Sequence, residues 1–161
     1  MDGEEFDVWV CRAAPRLHRT AYLLTGDWAL AQDLVQHACA VTWPRFASLQ
    51  EPEGYARTVL VRTASSWWRR RWRGEVPHDQ LPEQAAADSW GDVDRRHVLA
   101  AALRALPAKQ RAVLVLRFYD DLSEADTARA LGWPLGTVKS TTSRALASLR
   151  GAGLNDLEVR R

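Results

Sequence analysis

Ser123-Glu-Ala-Asp-Thr-Ala-Arg-Ala-Leu-Gly-Trp-Pro-Leu-Gly-Thr-Val-Lys-Ser-Thr-Thr-Ser-Arg-Ala-Leu-Ala-Ser-Leu149 is the stretch on which the fold turns. It reads as two short helices around a tight turn. Ser123, followed three residues later by Asp126, is a capping pair that starts the first helix. Gly132 stands where a left-handed residue ends a helix, and Pro134 cannot continue one. Thr137, or the residues just before it, opens a second helix, with Val138, Ala145 and Leu149 on one buried face. Ala128, Gly132 and Val138 have the spacing of a helix-turn-helix: a small residue for close approach, a glycine for the turn, an apolar plug for the corner. The opposite face of the second helix is polar, cationic and free of carboxylates, as insertion into a DNA major groove requires. An ordinary helical hairpin with a solvated face is the competing interpretation.

Working outward, residues 4–25 carry Phe6, Val10, Leu17, Ala21 and Leu24 at helical spacing, with Pro15 expected to split them into two pieces. Gly26 ends that segment and Asp27 caps the next, residues 28–43, whose buried stripe is expected to be Leu30, Leu34, Ala38 and Val41. Asp33, Gln36, His37 and Ala40 form a second, mostly polar stripe, either solvated or a docking surface. Residues 44–51 are expected to be a loop. Pro52 then opens a helix to about Arg73, expected to bury Tyr55, Val59, Leu60 and Thr63. It ends in Trp67-Trp-Arg-Arg-Arg-Trp-Arg73, where guanidinium groups suit phosphate and flat rings suit unpaired bases. The structural alternative is that some of these tryptophans only cap the core.

The 161 residues carry 22 Lys+Arg and 20 Asp+Glu, and the distribution matters more than the net +2. Residues 1–74 hold ten basic against eight acidic groups, residues 75–94 none against six, and residues 95–161 twelve against six. Two basic blocks therefore flank an acidic connector, which also lacks a sustained amphipathic period and contains Pro77 and Pro82. Asp92 or Asp94 is expected to cap the next helix, with Val98, Leu99, Ala102, Leu103 and Leu106 inward. A further helix after Pro107 turns Ala112, Val113, Val115, Leu116 and Tyr119 inward. With no strand pattern, the fold class is all-α: a first domain at 1–74, a flexible acidic linker at 75–94 and a helix-turn-helix domain at 95–161.

No phosphate-binding glycine loop, HExxH or GxSxG motif is present, so the sequence offers no enzyme constellation and implies no cofactor. His18, His37 and Cys39 lack zinc-site spacing, and Cys11 with Cys39 is no disulfide framework. The acidic N-terminus is unlike a signal peptide, and no apolar run approaches the ~18 residues of a membrane span. A cytoplasmic protein without membrane insertion is expected.

These pieces, in this order, resemble the extracytoplasmic-function (group IV) sigma factors of bacterial RNA polymerase, most closely the small two-domain actinobacterial members. The resemblance rests on Arg19-Thr-Ala-Tyr-Leu-Leu-Thr-Gly-Asp27, Ala31-Gln-Asp-Leu-Val-Gln36 and Trp67-Trp-Arg-Arg-Arg71 in the first half. In the second it rests on Leu103-Arg-Ala-Leu-Pro-Ala-Lys-Gln-Arg-Ala-Val-Leu-Val-Leu-Arg117, Asp121-Leu-Ser-Glu-Ala125, Gly136-Thr-Val-Lys-Ser140 and Ser143-Arg-Ala-Leu146. It implies a sigma-2 and a sigma-4 domain, no catalysis, and transcription initiation at promoters with −10 and −35 elements. Asp33, Leu34, Gln36 and His37 would dock on the β′ clamp helices of core polymerase. Arg45, Phe46, Ser48, Arg62, Ser66, Arg69, Arg70 and Arg73 would bind and open the −10 element. Gly136, Thr137, Lys139, Ser140, Ser143 and Arg144 would read the −35 element in duplex DNA, while sigma-4 grips the β flap. The acidic linker would thread toward the RNA exit path, and a cognate anti-sigma factor is a further implied partner. Two positions depart from the family pattern: Gln32 stands where Glu is usual, and Arg62 where many close relatives carry Asn. A stand-alone helix-turn-helix regulator, which would bind duplex DNA tightly without polymerase, and a helical partner- or RNA-binding protein are the alternatives.

Overall fold

The computed structural model describes the backbone of residues 3–72 and 90–151, and the side chains of residues 3–70 and 97–151. All regular elements among them are helical. The first unit holds α1 (Gly3–Thr25), α2 (Trp28–Thr42), a 3₁₀ helix (Trp43–Ser48) and α3 (Pro52–Trp72). The second holds α4 (Trp90–Arg104), α5 (Ala108–Leu114) running into a π turn (Val115–Tyr119), α6 (Glu124–Leu131) and α7 (Leu135–Gly151).

α1 is one helix, not two. Pro15 is exposed on its surface, and the opposite side buries Ala13, Leu17, Thr20, Ala21 and Leu24. A proline inside a helix forfeits one backbone bond, but a buried stripe on both sides of it holds the helix together. Gly26, at φ +66, makes the turn into α2, and the Asp27 carboxylate accepts the Leu30 N–H at 3.0 Å as the N-cap. A Cβ on Gly26 would lie 2.5 Å from the Arg104 side chain, so this glycine also admits α4.

In α2 the buried residues are Ala31, Leu34, Val35, Ala38 and Thr42, so the stripe is rotated from the expected one and leaves Leu30 and Val41 half-buried. α3 shows a similar rotation: Ala56, Leu60, Val61 and Ala64 are buried, while Tyr55, Val59 and Thr63 are half-buried. Close helix packing favours alanines in the seam. Residues 43–48 wind as a 3₁₀ helix instead of an open loop. α4 begins at Trp90, inside the segment expected as linker and ahead of Asp92 and Asp94; residues 75–89 of that segment lie outside the described residues. Ala100, Leu103 and Leu106 are its buried positions, whereas Val98 is 57% exposed.

The two units share one continuous apolar cluster, in which Leu17, Leu24 and Leu60 of the first join Leu103, Leu114 and Leu116 of the second. The sequence alone implies two separate cores. The structure joins them across the faces of α1 and α3.

Candidate nucleic-acid interface

The helix-turn-helix forms as its local residues require. Ser123 Oγ accepts the Asp126 N–H at 3.0 Å as the N-cap of α6 and donates its hydroxyl to Asp126 Oδ2 at 2.8 Å. The Ser123 hydroxyl, helped by Arg129, holds the Asp126 carboxyl below the usual range. Gly132 ends α6 at φ +69, and the Trp133 N–H returns to the Ala128 carbonyl at 3.0 Å. The Pro134 carbonyl then receives the first N–H groups of α7, from Thr137 and Val138. Val138 is fully buried against Val113 and Ala128, which fixes the angle between the helices.

On α7, Gly136, Thr137, Lys139, Ser140, Ser143 and Arg144 are all exposed. Their spacing places them on one side of the helix. Thr141 and Thr142 turn inward instead, Thr142 donating to the Val138 carbonyl at 2.7 Å. Lys139 lies 3.9 Å from Glu124 of α6, a surface pair that water and salt weaken readily.

The residues expected at a −10 element are more dispersed. Arg62, Ser66, Arg69 and Arg70 follow one side of α3, with the three arginines exposed and Ser66 half-buried. Arg73 lies outside the described residues. Arg45 and Ser48 are exposed on the 3₁₀ helix, and the Arg45 guanidinium sits 6.0 Å from the centre of the Tyr55 ring. Phe46 does not project to a partner. Its ring packs on Phe6 and Trp9 at 5.2 and 5.4 Å, in an aromatic cluster completed by Trp43. Four aromatics from two segments stabilise the 3₁₀ helix, and no local sequence pattern joins the two segments.

On α2, Asp33, Gln36 and His37 are exposed together as one face. Leu34 is not part of that face: it is completely buried on the other side, so it cannot meet a partner.

The structure also brings together residues that no local pattern connects. Arg62 donates from Nε to the Ala130 carbonyl at 2.9 Å and from Nη2 to the Arg129 carbonyl at 3.1 Å, at the C-terminal end of α6. Arg111, 3% exposed, donates to the carbonyls of Leu103 (2.8 Å), Leu106 (3.1 Å), Arg104 (3.3 Å) and, across the units, Leu24 (2.8 Å). Its guanidinium carbon lies 4.4 Å from the centre of the Trp68 ring. Burial, and secondarily Arg104, lower its pKa to about 10, which leaves it charged at neutral pH. Asp120, 4% exposed, accepts the Thr20 hydroxyl at 2.8 Å and has Arg57 Nε 3.6 Å from its other oxygen. Trp68 therefore has a structural role, one of the two uses that its segment allowed.

A family model described as Sigma-70 region 2 matches residues 9–74, and one described as Sigma-70, region 4 matches residues 96–149. The RNA polymerase sigma-E factor of Streptomyces coelicolor is 42% identical over 149 residues, covering 91% of this chain and 84% of that protein. The ECF RNA polymerase sigma factor SigL of Mycobacterium tuberculosis is 34% identical over 142 residues, covering 83% of this chain and 80% of SigL. Among solved structures, the sigma factor RpoE of Bartonella quintana, in complex with the anti-sigma factor NepR, aligns with a TM-score of 0.72 at 26% identity. That alignment covers 95% of this chain and 99% of RpoE.

Proposed function

We propose a site-level function from one premise: this chain belongs to the sigma-70 family, among its extracytoplasmic-function members, and is an alternative sigma factor that directs transcription initiation. On this reading α7 reads the −35 element. Gly136, Thr137, Lys139, Ser140, Ser143 and Arg144 enter the major groove, the two cations against phosphate or guanine and the hydroxyls against base edges. Arg62, Ser66, Arg69, Arg70, Arg45 and Ser48 engage the −10 element, where backbone neutralisation helps hold separated strands. Asp33, Gln36 and His37 dock on the clamp helices of the β′ subunit, and the second unit contacts the β flap. The protein works in the cytoplasm, without chemistry of its own, and is restrained by an anti-sigma factor, as the Bartonella relative is described in complex with one.

The observation that carries the reading is the α7 face: six exposed polar or glycine residues with no carboxylate among them, projecting from a capped helix-turn-helix. Asp33 offers the cleanest test, because it is exposed on α2 and its replacement is expected to leave the fold intact. With purified core polymerase, Asp33→Arg is expected to weaken core binding at least about tenfold, reversing one charge at a protein interface. Unchanged affinity, measured by titration with labelled protein, removes the docking role of that face. Wild-type protein that supports no initiation from a genomic promoter library overturns the reading as a whole.

A further inference from the structure

Leu135 leaves an apolar side chain in water at the point where α7 begins. Of the four large apolar residues exposed among the described residues, it alone belongs to α7; it is 43% exposed and joins neither apolar cluster. Trp133, two positions back, behaves differently. It is half-buried against Val113, Ala128 and Val138, with Lys109 Nζ 5.9 Å from its ring centre. The turn thus covers the larger ring and leaves the smaller side chain out, although burying a leucine favours folding.

Gly136 adds a second observation. Glycine favours a helix less than alanine does. Yet Gly136 has no positive φ, and a Cβ there would meet nothing within 4 Å. Neither the turn nor the packing of the described residues calls for a glycine at this place. A missing side chain does allow a second body to approach the backbone closely. In a helix-turn-helix, the N-terminal residues of the second helix are those that contact base edges. A bare backbone and an exposed leucine therefore stand together where the groove would meet the protein.

Charge at this edge favours a base over the backbone. Lys139 lies one turn on from Leu135, on the same side of α7. Glu124 places one oxygen 3.9 Å from Lys139 Nζ and the other 3.8 Å from Arg117 Nη2. Arg117 is itself anchored, its Nη1 donating to the Leu122 carbonyl at 2.8 Å. A phosphate set against this edge would meet the Glu124 carboxylate, whereas a base carries no full charge to be repelled. The apolar group that base pairs present in the major groove is the C5-methyl of thymine.

Resting on the −35 assignment of α7, we infer that Leu135 is a specificity-determining residue. Its side chain packs on the methyl group of a thymine in the −35 element, and Gly136 lets the backbone approach far enough for that contact. The six exposed residues assigned above supply charge and hydrogen bonds. Leu135 adds a readout that uses neither, and it discriminates against cytosine, which has no methyl.

Holoenzyme assembled from core polymerase and wild-type protein is used to select sites from a pool of random duplexes. Each thymine of a selected site is then replaced, one at a time, by deoxyuracil, which differs only in lacking the methyl. One replacement should weaken wild-type binding about fourfold, the worth of one buried methyl. The same replacement should have no effect on Leu135→Ala, which should bind the parent site about as weakly as wild type binds the substituted one. Gly136→Ala should melt no lower than wild type yet lose affinity for the selected site. The inference is overturned, with the −35 assignment left standing, if no thymine responds to the replacement or if the response persists undiminished in Leu135→Ala. Gly136→Ala that binds as wild type does overturns the close approach. Loss of core affinity in Leu135→Ala, with every deoxyuracil effect retained, gives the side chain to a protein partner and also overturns it. A wild-type holoenzyme that enriches no site removes the −35 assignment, and the inference falls with it.

Discussion

Arg111 is a buried cation whose described partners are four carbonyl oxygens and an indole ring. Removing it strands those carbonyls in a place water cannot easily reach, and a buried unsatisfied polar group costs about 1–3 kcal/mol. Arg111→Met, which preserves length and apolar bulk, is therefore expected to lower unfolding stability by at least about 2 kcal/mol in urea titration. Asp120 presents the opposite balance. Burial pushes its carboxyl above the usual range, and Glu53 adds to this; the Thr20 hydroxyl, Arg57 and Arg16 only partly offset it. A carboxyl whose pKa is higher in the folded form favours folding when protonated. That contribution is complete below the ordinary value of 3.8 and is lost as pH rises through the raised one. Acidification from neutral pH toward that window should therefore stabilise wild type relative to Asp120→Asn, which is neutral throughout and can still accept from Thr20. Urea midpoints of the two proteins across pH check this, and parallel curves would show that Asp120 does not titrate there. Neither residue was visible as special in the sequence, because each finds its decisive partner 87 or 100 positions away.

At the scale of elements, local chemistry was legible and registers were not. Asp27, Ser123 and Gly132 announced their helix ends because a cap needs only residues within one turn. Pro15 misled, since its local cost was outweighed by packing that involves other helices. In α3 the large residues Tyr55 and Val59 drew the expected core face, while Ala56 and Ala64 occupy the seam because helices must approach closely there. The exposed face of α7 followed from periodicity alone, and periodicity also placed Leu34 in the buried stripe of α2; only the resemblance gave it a docking role beside the exposed Asp33, Gln36 and His37. Gly132 gives this scale its test. At φ +69 an L side chain costs about 1–2 kcal/mol, and nothing nearer than the Arg62 guanidinium, at 3.6 Å, crowds the added Cβ. Gly132→Ala should lower thermal stability by that amount through backbone strain. It should also weaken duplex binding by the polymerase-bound protein, since the turn sets the angle of α7. A melting curve identical to wild type would mean that the turn had found another conformation.

For the whole molecule, the sequence implied two units and a linker, which describes the covalent chain but not how the free protein folds. Composition and charge blocks report where the chain changes character. They cannot report that Leu17, Leu24 and Leu60 share a cluster with Leu103, Leu114 and Leu116, because apolar surface is non-directional and its partner is chosen in three dimensions. A shared core has a thermodynamic signature: neither unit keeps its full burial when the other unfolds, so both should unfold together. Of the eight tryptophans, six precede the acidic segment, Trp90 lies within it and Trp133 alone follows it, so indole fluorescence weights the first unit while far-UV circular dichroism weights all helices. In wild type the two signals should melt at the same temperature. Asp120→Ala removes the acceptor of the buried Thr20 hydroxyl and the counter-charge of Arg57, a loss of about 1–3 kcal/mol confined to the joint between the units. If the joint is what couples them, the two signals should separate in this variant, with the fluorescence and dichroism midpoints moving apart. Two already separate transitions in wild type would mean that the units are thermodynamically independent in spite of the shared cluster.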